Sequence, residues 1–297
     1  MAGDQYNDFV SRRHEGWNRP MPVQQKKRRK PFLVMMIIML ALFSALYAYI
    51  FLYPLLQPSP TVEKTSGSLQ AVIDSYPDYN VGVSLIDTKS QDQINVGYQS
   101  AFTAASTTKI LTAVITLSEV EKGRLSLDKK FSGYPVSWHL RQLVNQSNSE
   151  SWKTLNHYFG QKKMEKYAKS IGLDSYNYKN NLIKPSDEAI LLSKLYTGKL
   201  VNKTHTSQLL DFMQDTNEES FIPAVADTQD ITVYHKYGWL ESNIHDVGIL
   251  KTKDTSWVVA IYTNPQNNEM DATTSREIIH SLTEVVVKGL RGEFQST

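Results

Sequence analysis

One feature constrains this chain more than any other: the run Phe32 to Tyr53, FLVMMIIMLALFSALYAYIFLY, holds 22 residues without a charge. A helix needs about 20 such residues to cross the hydrocarbon of a bilayer. No soluble core requires that length beside five consecutive cations, Lys26-Lys27-Arg28-Arg29-Lys30. The run therefore reads as a transmembrane helix, taken with its flank as residues 32–56. The cations on its N-terminal side hold residues 1–31 in the cytoplasm as a basic tail and place everything after Pro54 outside. Tyr47, Tyr49 and Tyr53 suit the outer interface. A cleaved signal peptide has a shorter apolar region and a small-residue cleavage site. Neither is present here, so the expectation is an uncleaved signal-anchor in a cell membrane.

Beyond the anchor, residues 57–68 are rich in Pro, Ser and Thr, the composition of a semi-extended linker. Residues 69–297 are expected to form one domain. With 41% hydrophobic and 21% charged residues the chain can fill a core. Its formal charge is only +2, with the basic excess gathered before the anchor, so nucleic acid is not an expected partner. Cysteine is absent, which removes disulfides, thiolate metal sites and a cysteine nucleophile.

The domain begins with alternating apolar residues over 81–87 and a second short strand near 94–98, a hairpin. Ser106 to Lys122 is apolar nearly all round and stops at Gly123, as a buried helix with a C-terminal glycine does. Helical spacing recurs over 140–144, 151–171 and 185–195, the last with Pro185 in its first turn and Ser186 and Asp187 as candidate caps. Three strands follow as a meander, over 231–236, 244–250 and 257–263. A final amphipathic helix over 275–289 has Thr274 and Glu277 spaced as a capping box. Strands at both ends of a helical middle predict an α+β fold: an antiparallel sheet flanked by helices, with an inserted all-α lobe.

The chemistry is concentrated in Ala105-Ser106-Thr107-Thr108-Lys109. A serine and a lysine three apart at a helix start share one face, and the lysine can take the serine proton if burial or a nearby cation lowers its pKa. The free N–H groups of a helix N-terminus favour the charge that develops on a carbonyl oxygen during acyl transfer. The spacing alone is not decisive, because Ser126-Leu127-Asp128-Lys129 repeats it in a polar turn after Gly123. An N-cap role for Ser106 is the competing structural reading.

Downstream stand Ser147-Asn148-Ser149 and His235-Lys236-Tyr237-Gly238-Trp239. In order and context these three groups resemble the S-x-x-K, S-D-N and K-T-G motifs of class A β-lactamases and penicillin-binding proteins. The likeness spans nearly all of 69–297, including Gly123-Arg124-Leu125-Ser126-Leu127-Asp128 after the first helix. The resemblance implies the β-lactamase/transpeptidase fold and a set of roles. Ser106 is the acylated nucleophile and Lys109 its base. Ser147 relays a proton between Lys109, Lys236 and the leaving group, and Lys236 supplies positive potential. The backbone N–H groups of Ser106 and Trp239 form the oxyanion hole, and Gly238 lets substrate lie against its strand.

This chain also departs from the family pattern. Ser149 replaces the asparagine that grips a substrate amide, with a shorter reach. Tyr237 places a phenol where the family has a small hydroxyl residue beside the substrate carboxylate. Class A enzymes carry a loop glutamate that activates the hydrolytic water. Between Leu173 and Pro185 there is none, and Asp187 and Glu188 read as helix-start residues. His235 and His245 read as sheet-edge or strand-start residues. No metal-ligand cluster or phosphate loop is present, so no cofactor or metal is expected.

The expectation is a membrane-anchored extracytoplasmic serine hydrolase acting through an acyl-Ser106 intermediate on a cell-wall peptide, ester or β-lactam. Two alternatives stand beside it: a non-catalytic wall-binding scaffold that keeps the fold, and a true class A β-lactamase. The cysteine-free, lysine-rich composition suits a Gram-positive bacterial surface.

Overall fold

The computed structural model describes residues 30–52 and 60–294. The residues before Lys30, and Tyr53 with the first part of the expected linker, lie outside them. The chain divides into two units, 1–57 and 58–297. The described part of the first is helix α1, Lys30–Tyr47, running on into a π-helical turn, Ala48–Leu52. Over Pro31–Ile50 its mean hydropathy is 2.4, long and apolar enough to cross a membrane, and its Phe, Leu, Ile and Met side chains are exposed. A helix satisfies its backbone polar groups internally, as a hydrocarbon environment demands.

The second unit opens with α2, Pro60–Asp74, then β1, Tyr79–Asp87, β2, Gln93–Gly97, and β3, Phe102–Thr103. The helical middle follows: α3, Lys109–Glu121, a hairpin of β4, Lys130–Phe131, and β5, Tyr134–Pro135, then α4, Val136–Val144, α5, Ser149–Phe159, and α6, Gln161–Ser170. After β6, Leu182–Ile183, come α7, Pro185–Tyr196, α8, Lys203–Phe212, and the short α9, Ile222–Ala226. The chain ends in β7, Thr232–Leu240, β8, Asn243–Lys251, β9, Ser256–Pro265, and α10, Ala272–Arg291.

The main sheet has the order β2-β1-β9-β8-β7, antiparallel throughout. The α+β class and the inserted helical lobe are as expected. Period two along β9 explains why both faces are covered. Val258, Ala260 and Tyr262 join the core shared with the helical lobe, while Trp257, Val259 and Ile261 join the core under α10. The last strand to be made thus closes on the first, since β9 pairs with β1 from Tyr79↔Pro265 to Asp87↔Trp257. That closure carries β7 to the sheet edge.

Several local expectations are corrected. The 57–68 stretch, expected as an extended linker, is helical from Pro60; Thr65, Leu69 and Ile73 of α2 are buried. An apolar stripe with Pro at the first turn outweighs the Ser/Thr composition. Gly289 on α10 makes room for this helix, since a Cβ there would lie 2.5 Å from Thr65 Oγ1. The helix expected over 151–171 is broken into α5 and α6 at Gly160, whose φ of +75° leaves the helical region. The cap of α10 is Asp271, which accepts the Thr274 N–H at 3.0 Å, rather than Thr274 with Glu277. Asp187 does not cap α7 but accepts the backbone N–H and hydroxyl of Ser175 at 2.8 and 2.7 Å.

Candidate active site

The nucleophile candidate lies in a turn, not in the first helical residue as expected. Residues 105–108 form turns and α3 begins at Lys109. The bonds Thr107 N–H to Ala104 O, Lys109 N–H to Ser106 O and Ile110 N–H to Thr107 O span three residues, a tighter winding than an α-helix. Ala105 has φ +52°, a left-handed conformation that alanine rarely adopts. Thr107 is pinned beneath the turn: its hydroxyl donates to Ala104 O at 3.0 Å and lies 2.7 Å from the Tyr262 hydroxyl. Ser106 is half-buried, and no other described residue hydrogen-bonds its hydroxyl.

Two buried lysines meet at Ser147. Lys109 Nζ donates to the Ser147 carbonyl, to Ser147 Oγ at 3.3 Å and to Ser149 Oγ at 3.4 Å. Lys236 Nζ donates to Ser147 Oγ at 2.9 Å and to the Tyr237 carbonyl at 2.9 Å. Lys109 is 2% exposed and Lys236 fully buried, and no carboxylate forms an ion pair with either among the described residues. Burial pulls Lys109 down to about 8. Lys236 is held well below the ordinary lysine value by burial and then by Lys109, against the opposing pull of Asp246. Ser147, like Ala105, has a left-handed backbone, φ +52°. Its hydroxyl oxygen accepts from both lysines, which fills its two lone pairs and leaves its own O–H as the one free donor.

Strand β7 supplies the opposite wall. The His235 N–H bonds off the sheet edge to Met213 O at 2.8 Å. Alternation along an unbroken strand therefore sends the N–H of Trp239 off the same edge. A Cβ on Gly238 would lie 2.9 Å from Ala104 O and 3.1 Å from Ser106 N, so only glycine lets the strand run this close to the nucleophile turn. The Tyr237 ring sits 4.0 Å from Lys236 Nζ and stacks on Phe221, with its hydroxyl accepting from Asn217 Nδ2 at 3.2 Å. Trp239 is half-exposed at the edge of the same aromatic group.

The structure thus brings Ser106, Lys109, Ser147, Ser149, Lys236, Tyr237, Gly238 and Trp239 into one region. Ser126, by contrast, is exposed and merely accepts the Asp128 N–H in a turn.

Other residues around the site are not apparent from motif reading. Asn145, two residues before Ser147, donates to the carbonyls of Phe212, Gln214 and Asp215, tying the second motif to the segment that lies on β7. His235 lies on the edge strand β7, as expected, but its side chain is buried. Its Nδ1 lies 3.0 Å from Asp246 and its Nε2 3.2 Å from Glu219. Burial alone would lower it, but the two carboxylates win and raise it to about 9. His245 is buried too, stacked on Tyr262, and burial lowers it to about 4.

Glu188 is fully buried, 3.5 Å from the Tyr262 hydroxyl, with one oxygen unpartnered. Burial raises it to about 8, so it is a neutral acid at neutral pH. It is therefore no substitute for a solvent-facing hydrolytic base. Among the described residues no group of three or more acidic or histidine side chains is placed to hold a metal ion.

The architecture is that of the serine β-lactamases and penicillin-binding proteins. PBP-A superposes with a TM-score of 0.70 at 19% identity, over 77% of this chain and 96% of that one. A point mutant of PBP-A, solved as an acyl-enzyme complex with penicillin G, gives 0.71 at 20% identity over 80% and 100%. The β-lactamase from Sphaerobacter thermophilus gives 0.67 at 17% over 78% and 98%. No curated protein sequence matches the chain. The family assignment rests on the sequence itself: residues 64–290 match the model of the β-lactamase enzyme family, and the chain belongs to that family. The match begins inside α2, in keeping with the helix displacing the expected linker.

Proposed function

We propose that this chain is a membrane-anchored, extracytoplasmic serine enzyme that is acylated at Ser106 by a cell-wall peptide, an ester or a β-lactam and releases the acyl group slowly. The observation that carries this reading is the convergence of two buried lysines on Ser147 Oγ with Lys109 lowered to about 8.

Lys109, as free base, takes the Ser106 hydroxyl proton while Oγ forms a bond to the substrate carbonyl carbon. The carbonyl oxygen becomes an anion facing the N–H groups of Ser106 and Trp239, donors fixed before the reaction begins. When the bond from that carbon to the leaving nitrogen or oxygen breaks, the free O–H of Ser147 protonates the leaving atom. Ser147 recovers a proton from Lys109, with Lys236 holding the hydroxyl in place. Lys109 is hydrogen-bonded to Ser147 and Ser149. Catalytic hydrogen bonds to the nucleophile often tighten only on substrate binding, and the three-residue spacing keeps the two side chains adjacent.

Water attack on the acyl-enzyme needs a base, and the carboxylates near the site do not offer one. Glu188 is neutral and enclosed, and Asp187 is bound to Ser175. This supports penicillin-binding behaviour over rapid β-lactam hydrolysis. The N-terminal apolar helix supports anchoring, with the basic run on its cytoplasmic side.

The test is intact mass of the chain after exposure to a fluorescent penicillin, followed over time with Ser106→Ala as control. The reading expects a long-lived adduct absent from the variant. Drug consumption without a lasting adduct would reject slow release. No adduct and no consumption, with Ser106→Ala retaining the cellular phenotype, would favour the scaffold role instead.

A further inference from the structure

The turn that carries Ser106 is strained, and one distant side chain spans it. Asn181 meets residues on both sides of the serine. The Ala104 N–H donates to Asn181 O at 2.8 Å, Asn181 Nδ2 donates to Ala105 O at 2.8 Å, and Thr108 Oγ1 donates to Asn181 Oδ1 at 2.7 Å. These contacts bracket Ala105, the residue held at φ +52°. Asn181 does not bond Ser106 itself, so any effect on chemistry passes through the backbone it holds.

Asn181 is itself well held. It has φ +48°, a left-handed conformation that asparagine tolerates better than most side chains. Its loop is closed by paired backbone bonds between Asn177 and Leu182 at 2.9 and 3.1 Å, and by the Asn180 N–H donating to Asn177 Oδ1 at 2.9 Å. Immediately after it, β6 pairs with β3, the strand that leads into the nucleophile turn. The brace and the turn are thus two ends of one short antiparallel contact.

Side-chain chemistry restricts what can stand here. The site needs a donor to the Ala105 carbonyl and an acceptor for the Thr108 hydroxyl from one short planar group. Aspartate keeps the acceptor but turns a carboxylate oxygen on a carbonyl. Alanine keeps only the backbone bond to Ala104.

From this geometry we infer that Asn181 is a positioning residue for the nucleophile: it holds residues 104–108 in the conformation that aims the Ser106 hydroxyl and N–H. As a statement about reactivity the inference rests on the acyl-Ser106 reading. As a statement about the turn it does not.

The experiment compares wild type with Asn181→Ala, Asn181→Asp and Asn177→Ala. Acylation by the fluorescent penicillin gives the rate constant at saturation and the half-saturating concentration, and hydrogen exchange gives the protection of 104–110. Misplacement of reacting groups by about 1 Å can lower a rate 10²-fold. Both Asn181 variants are expected to lower the saturating rate constant by about 10- to 100-fold, to shift half-saturation less than about threefold, and to speed exchange over 104–110. Asn177→Ala loosens the loop without touching the turn and is expected to lower thermal stability while leaving the rate constant near wild type. Wild-type rates in both Asn181 variants would overturn the inference, as would equal losses in Asn177→Ala. Should wild type not acylate at all, the reading of Ser106 fails, and exchange decides the brace separately: unchanged protection of 104–110 in Asn181→Ala refutes it.

Discussion

On the proposed mechanism, in which the buried Lys109 is the base, the acylation rate should rise tenfold between pH 7 and pH 9. Burial brings Lys109 to about 8. With that value the free-base fraction is 1/(1 + 10), about 9%, at pH 7 and about 91% at pH 9. A solvent-exposed lysine near 10.4 would be only about 0.04% free base at pH 7. Burial thus raises the reactive fraction about 200-fold at that pH, and desolvation is the sole cause acting on it.

The assay is the rate constant of fluorescent-penicillin acylation from pH 6 to 10 at fixed ionic strength, with adduct identity checked by mass. The rate is expected to climb about one decade per pH unit below 8 and to level off above it. Lys109→Gln should lose the climb together with about 10²–10⁴ of the rate, the usual contribution of a positioned base. A flat profile between pH 6 and 9, or a midpoint near 10, would refute the assignment of Lys109 as the base. So would a Lys109→Gln variant that keeps both the climb and the rate.

Three further perturbations test the packing around the site. Gly238→Ala would place a Cβ 2.9 Å from Ala104 O and 3.1 Å from Ser106 N. It should slow acylation about 10²-fold, the scale of a lost oxyanion donor; a wild-type rate would show that β7 does not need to lie so close. Glu188→Gln addresses the buried acid. In the folded chain Glu188 keeps its proton up to about 8, whereas the unfolded chain releases it near 4.5, so its contribution to stability falls as pH rises across that interval and is constant above it. The glutamine variant should gain on wild type over the same window, by at most about 1.4 kcal/mol per pH unit, in urea unfolding; parallel curves would contradict a neutral Glu188. Gly289→Ala puts a methyl 2.5 Å from Thr65 Oγ1 and 2.9 Å from the Trp257 ring. It should lower stability by about 1–3 kcal/mol without changing the acylation rate constant, and an unchanged melting temperature would mean that α2 is not packed against α10.

What could be read from the chain order was whatever physics acts over a few residues. An uncharged run of 22 residues can only be satisfied as a long apolar helix. Alternating apolar residues mark β1, short apolar runs mark β8 and β9, and the order of the three motif groups pointed to the family that residues 64–290 match. Local reading misjudged 57–68, because Ser and Thr content hid a buried face whose partner, Gly289 on α10, lies more than two hundred residues along the chain.

What only the tertiary structure decided was the environment of those motif residues. Ser147 is 38 residues from Lys109 and 89 from Lys236, and the three meet because β9 closes the sheet between β1 and β8 and carries β7 to the edge beside the nucleophile turn. The lowered pKa of Lys109, the neutral state of Glu188 and the bracing of Ala105 by Asn181 share one physical origin. Each depends on which groups exclude water from an atom and which reach it with a hydrogen bond, and neither is a property of residues adjacent in the chain.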